Sequence, residues 1–157
     1  MDSRIGYEDD FYAWTQEQAR LLREAARERL NTPIDWENLA EEVESMGRTE
    51  TRAVESSLIR VLEHLLKLEF SPATDPRAVW KASVAEHRDR VLRDLKASPS
   101  LRVKIDRNDL YRSARKVAAL GLERDGLRLA DLPADCPYDL DSIMAEDWWP
   151  VNRHGLD

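Results

Sequence analysis

Cysteine is almost missing from this chain: Cys136 stands alone in 157 residues. One thiol excludes an intrachain disulfide, a Cys-rich zinc site and the stapled design of small secreted proteins. No sequence feature pairs it with a histidine, so it reads as a small packed residue rather than a nucleophile. Histidine is nearly as scarce, with three scattered copies, too few for a closed zinc site of the usual kind. No apolar run reaches the length that spans a bilayer. The first ten residues lack the basic-then-apolar pattern of a signal peptide, so the expected compartment is the cytoplasm. There is no Gly-rich phosphate loop, nucleophile elbow, His-Glu-x-x-His motif, fixed-period repeat or low-complexity segment. Neither a cofactor nor a structural metal is expected.

What is abundant is charge. Charged residues make up 35% of the chain, hydrophobic residues 42%, and the net charge is -7. An acidic chain is poorly suited to phosphate backbones, which are bound by Lys and Arg displacing counterions, so nucleic acid is not an expected partner. Nor is a membrane. Five Trp supply a large aromatic share of the core, and the length suits one domain. Helical periodicity appears in every segment long enough to test, and strand alternation in none. The expected fold is all-α: a single-domain bundle of about five or six helices without a sheet over residues 1–150, followed by a loose C-terminal tail over 151–157.

The most informative stretch runs from Asp35 to Gly47. Asp35 is a good N-cap, and Glu37 places negative charge at the positive end of the helix dipole. Trp36, Leu39, Ala40, Val43 and Met46 share one face, and Gly47 is expected to stop the helix or hinge it into the next. At 100° per residue, Glu37, Glu41 and Glu44 form a column beside that stripe. Carboxylates so placed need a cation, a donor or a metal.

Other segments supply possible partners. Thr15 with Gln18 reads as a capping box that starts a helix at Gln16. Thr49 to Phe70 is the longest amphipathic stretch, with Val54, Leu58, Val61, Leu62, Leu65 and Leu68 on a wide apolar face, His64 at its margin and Lys67 one turn on. Asp75-Pro76 opens a helix whose apolar stripe of Trp80, Val84, Val91 and Leu95 also carries His87 and Arg88. An Arg there must pair with a carboxylate or snorkel to water. Arg88 is therefore the first expected partner of Glu41 or Glu44, with Lys67 and Arg115 next. Ser98-Pro99 repeats the cap-then-proline signal. Leu110, Ala114, Val117 and Ala118 form the next face, flanked by Tyr111 and Arg115 and ended by Gly121. Asp139 caps a short helix, and Trp148-Trp149 is expected to dock the C-terminal segment.

The ordered series Asp10 to Trp14, Asn38 to Gly47, His64 to Lys67, Trp80 with Arg88, Ser98 to Leu101, Tyr111 with Ala114-Arg115, and Cys136 to Tyr138 resembles a bacterial family catalogued as domain of unknown function twenty-nine. The resemblance covers nearly the whole chain. It implies an all-helical single domain and supplies no activity or catalytic residue to carry over. The pattern departs at His87, where the family is expected to hold Gln, and this weakens any mechanism resting on that histidine. The leading functional expectation is a small cytoplasmic interaction or structural protein with a protein partner. The alternative is a hydrolase or metal-dependent enzyme around Glu41, Glu44 and His64, since carboxylates with imidazole suit zinc, manganese or iron. Arg-rich helices favour a nucleic-acid regulator slightly, and the net charge opposes it.

Overall fold

The described residues, 4–157, of the computed structural model hold five α-helices, three short 3-10 turns and no strand. The helices are α1 (Phe11–Arg27), α2 (Trp36–Phe70), α3 (Arg77–Ala97), α4 (Arg107–Leu122) and α5 (Leu140–Met144), with 3-10 turns at Pro99–Lys104, Glu123–Asp125 and Leu129–Asp131. The residues group into two compact units. The first holds the chain up to Val54 together with Arg93–Ile105; the second holds Glu55–Leu92 together with Asp106–Asp157. The long helices α2 and α3 contribute residues to both.

In the first unit, α1 begins five residues before the expected start at Gln16. Asp10, not Thr15, is its N-cap, accepting from the Ala13 amide at 2.9 Å. Asp10 also accepts from the amide and hydroxyl of Ser100 at 2.7 and 2.9 Å, which ties the helix start to the turn at Pro99–Lys104. Ser98 does not cap that turn with its side chain; its hydroxyl accepts from the Tyr12 amide instead. Thr15 is buried inside α1 and donates to the Tyr12 carbonyl at 2.6 Å. Tyr7, Phe11 and Trp14 form a ring cluster with centroids 5.0–6.0 Å apart.

Asp35 opens α2 as expected, accepting from the amide and side chain of Asn38. The expected break at Gly47 does not occur, and α2 runs unbroken for 35 residues. Gly47 serves a different purpose. A Cβ there would lie 2.5 Å from Thr15 Oγ1 and 3.0 Å from Gln16 Nε2. The missing side chain lets α1 approach closely, and that packing offsets the helix propensity Gly lacks.

In the second unit, Leu58, Val61, Leu62, Leu65, Leu66 and Leu68 of α2 are all at most 1% exposed. They are joined in the core by Val84, Val91, Leu110, Ala114, Ala118 and Leu122. Val117, placed on the inner face by its spacing, is 41% exposed, and Tyr111 takes the buried position instead. Gly121 does not end α4, which continues to Leu122. Asp139 caps α5 through the Ser142 amide.

The tail is held, contrary to the expectation that 151–157 is loose. Asn152 is buried and donates to the carbonyls of Leu68 and Ser71 at 2.8 and 2.9 Å. Arg153 adds backbone and side-chain bonds to Glu69, and its guanidinium lies over the Phe70 ring. Arg77 donates to the Asp157 carbonyl. The end of α2 has carbonyls without helical partners, and the tail supplies donors to them. Periodicity in the sequence carries no signal for such backbone contacts.

Candidate functional site

The eight polar candidates divide into three groups, each held differently, and in the third Arg88 Nη1 and Arg115 Nε are buried without a hydrogen-bond partner. The first is the acidic column of α2. Arg23 of α1 contacts Glu44 at 2.7 Å and Glu41 at 3.6 Å, while Arg48 contacts Glu41 at 2.5 Å and Glu44 at 3.5 Å. The cross-helix cation is therefore Arg23, not Arg88, Lys67 or Arg115. The hydrogen bond from Arg23 holds the Glu44 carboxyl below its ordinary range. Glu37 is exposed and feels Arg23 only through space.

The second group lies in the second unit. Glu63, which spacing alone did not single out, has a side chain 4% exposed and is bound by Lys67 Nζ at 2.7 Å and Arg60 Nη1 at 2.8 Å. Burial pushes its pKa up, but the hydrogen bonds from Lys67 and Arg60 outweigh that and bring it below the ordinary carboxylate value. His64 is pushed down by burial against the opposing pull of Glu63, and its Nδ1 donates to the Arg60 carbonyl at 3.1 Å in the matching tautomer. The signal for this group was present as a Glu-to-Lys pair four residues apart on a helix. Spacing does not mark Glu63 as polar, because it falls on the apolar side of the stretch.

Arg88, Tyr111 and Arg115 form the third group, which fastens the segments after α4, α5 among them, to the longer helices. Arg88 is 1% exposed and donates from Nε and Nη2 to the carbonyls of Ile143 and Ser142 at 2.8 and 3.1 Å. Those carbonyls close α5, so the guanidinium sits at the negative end of a helix. The Trp149 ring centroid lies 5.0 Å from Arg88 Cζ. Burial lowers the Arg88 pKa to about 10, with Asp147 acting in the opposite sense. The neighbouring Trp148 meets Tyr138 edge to face at 5.5 Å. Tyr111 donates to the Pro133 carbonyl at 2.6 Å, and Arg115 donates to the carbonyls of Leu129 and Leu132. Burial pushes the Tyr111 phenol up to about 12.

These arrangements do not assemble Glu41, Glu44 and His64 into one centre. Glu41 and Glu44 belong to the first unit and His64 to the second. Among the described residues, no group of three or more His, Cys, Asp or Glu could hold a metal ion. His87 bonds to the Ser83 carbonyl at 2.8 Å. Burial raises the Cys136 thiol pKa, which disfavours the nucleophilic thiolate.

One feature of α2 has no such closure. In its first half the fully buried line is Ala40, Gly47 and Val54, at seven-residue spacing. Trp36 and Val43 are half-buried beside it, while Leu39 and Met46 are 43% and 45% exposed. Together Trp36, Leu39, Val43 and Met46 make a three-four-three apolar seam, the spacing by which one helix receives another. Exposed Asp35 and Glu42 stand on its solvent rim.

The profile described as Domain of unknown function DUF29 matches residues 6–149. The chain belongs to the DUF29 family. A solved structure similar to this DUF29 chain is an alpha-helical protein of unknown function from Rhodospirillum rubrum ATCC 11170, at 29% identity and a TM-score of 0.80, covering 91% of each chain. Comparison with curated proteins returned no match. No helix of the described residues in this DUF29 chain is long and apolar enough to cross a membrane.

Proposed function

We propose that this chain is a bacterial, cytoplasmic interaction protein and that the first half of α2 is its docking element. The observation that carries the reading is the half-exposed seam of Trp36, Leu39, Val43 and Met46. Apolar side chains at heptad spacing present anchors for an amphipathic helix. The partner we infer is a helix with apolar residues at the same spacing and Lys or Arg beside them, because the rim of the seam carries Asp35 and Glu42. A second copy of the chain is a poorer fit, since a net charge of -7 opposes self-association. The metal-dependent alternative loses its motive, because Glu41 and Glu44 are held by guanidinium groups and His64 is occupied by a backbone carbonyl.

The test uses two synthetic helical peptides with identical Leu heptads, one flanked by Lys and one by Glu, titrated against the full chain by fluorescence anisotropy. The Lys-flanked peptide should bind, the Glu-flanked one should not, and Leu39→Glu should abolish binding. Equal affinity for both peptides, or no affinity for either, would contradict the reading. A concentration-dependent dimer in sedimentation that Leu39→Glu dissolves would reassign the seam to a second copy.

A further inference from the structure

An open cleft of about 960 Å³ lies within the second unit, between the loop that follows α2 and the end of α4. That is at the upper end of the range found for small-molecule sites. Its wall includes Lys67, Asp75, Trp80, Leu120, Arg124 and Asp125, and three observations show how it is built. First, Lys67 has a side chain only 13% exposed and is anchored to the buried Glu63. An ammonium has three donors, so Lys67 keeps donors beyond the one that Glu63 accepts. Glu63 is matched by two cations, Lys67 and Arg60, so the group holds positive charge in excess. Second, Gly121 makes room for that ammonium. A Cβ at 121 would lie 2.6 Å from Lys67 Cε and 2.8 Å from Nζ. A glycine inside a helix costs about 1 kcal/mol relative to alanine, and the seat of Lys67 accounts for it. Third, the wall is charged in both senses. Arg124 and Asp75 are exposed, and their side chains make no hydrogen bond or ion pair among the described residues. Asp125 accepts from the Ser71 hydroxyl at 2.6 Å, which fixes its carboxylate.

We propose that this cleft binds a small zwitterion with an apolar side group, of the α-amino-acid type. A simple anion would be drawn by Lys67 and Arg124 but opposed by Asp75 and Asp125, and a simple cation would meet the reverse. A ligand carrying a carboxylate and an ammonium satisfies both sets of charges. The half-buried Trp80 and the 68% exposed Leu120 supply the apolar wall for its side group, and the Trp face also favours a nearby cation. Lys67 and Arg124 would take the carboxylate; Asp75 would take the ammonium.

The experiment is isothermal titration calorimetry of the full chain with L-phenylalanine, N-acetyl-L-phenylalanine, which lacks the ammonium, and L-phenylalaninamide, which lacks the carboxylate. Phenylalanine should bind, and each analogue should bind about ten-fold or more weakly, the loss that goes with one charged hydrogen bond. Arg124→Gln should weaken phenylalanine but leave the amide where it was. Asp75→Asn should weaken phenylalanine but leave the N-acetyl compound where it was. Both residues are on the surface, and unchanged thermal unfolding of the two variants checks that they fold. Equal binding of phenylalanine and its N-acetyl derivative would overturn the proposal in favour of an anion site. Equal binding of phenylalanine and its amide would overturn it in favour of a cation site. No binding of phenylalanine would overturn it outright.

Discussion

The two halves of α2 carry apolar residues at the same spacing and meet different fates. From Leu58 to Leu68 the large residues are inside, with Leu65 and Leu66 at 0% exposure. From Trp36 to Gly47 the buried positions go to Ala40 and Gly47, while Leu39 and Met46 remain 43% and 45% exposed. The difference lies in what each half packs against. Where α1 approaches, the contact needs small residues; Gly47 meets Thr15 and Gln16 so closely that even a methyl group would collide. Close approach of two backbones puts the small residues on the contact line and leaves the large ones at its margin. The second half is a filled core, and the first is a tight helix contact with an uncovered edge.

That contrast can be broken at several points. The largest effect is expected in the filled half. Leu65→Ala should cost about 3–5 kcal/mol in urea unfolding, the usual loss for a fully buried leucine. Next comes the buried ion group. Lys67→Met should cost about 2–3 kcal/mol, because Glu63 keeps only Arg60, and adding Glu63→Gln should recover part of the loss. The same group sets a pH dependence. Burial depresses the His64 pKa from 6.5, so the unfolded chain takes up the proton first and stability should fall as pH drops below about 6.5. Glu63 is also depressed, from 4.5, so its contribution is complete above about 4.5 and is lost as pH falls further. His64→Gln should remove the first decline and leave the second. Smaller again, Gly47→Ala should destabilise by about 1 kcal/mol. The helix propensity gained is of similar size, but the collision with Thr15 Oγ1, whose hydroxyl is fixed on the Tyr12 carbonyl, costs more.

The helical class, the caps at Asp35 and Asp139, and the buried face from Val54 to Leu68 were all legible in the sequence, because each rests on local spacing. What spacing cannot report is the identity of the neighbour. Gly47 and Gly121 read as stops, yet both lie inside helices where another side chain needs the room. Arg88 lies within an apolar stripe, as its spacing indicates, but its acceptors are the carbonyls of Ser142 and Ile143, which no residue-type pattern marks. The acidic column did meet a cation from another helix; that it is Arg23 depends on the packing of α1 against α2. Thr15 satisfied the letter of a capping box, and Asp10 took the role because it also serves Ser100.

The central claim is that the seam on the first half of α2 is surface and not core. The double variant Leu39→Ser with Met46→Ser tests this in a single urea unfolding curve beside the parent. Surface positions usually change stability by less than about 0.5 kcal/mol, and a midpoint within that margin is the expected result. A loss approaching that of Leu65→Ala would contradict it, making the seam part of the core and removing the basis for a docking face.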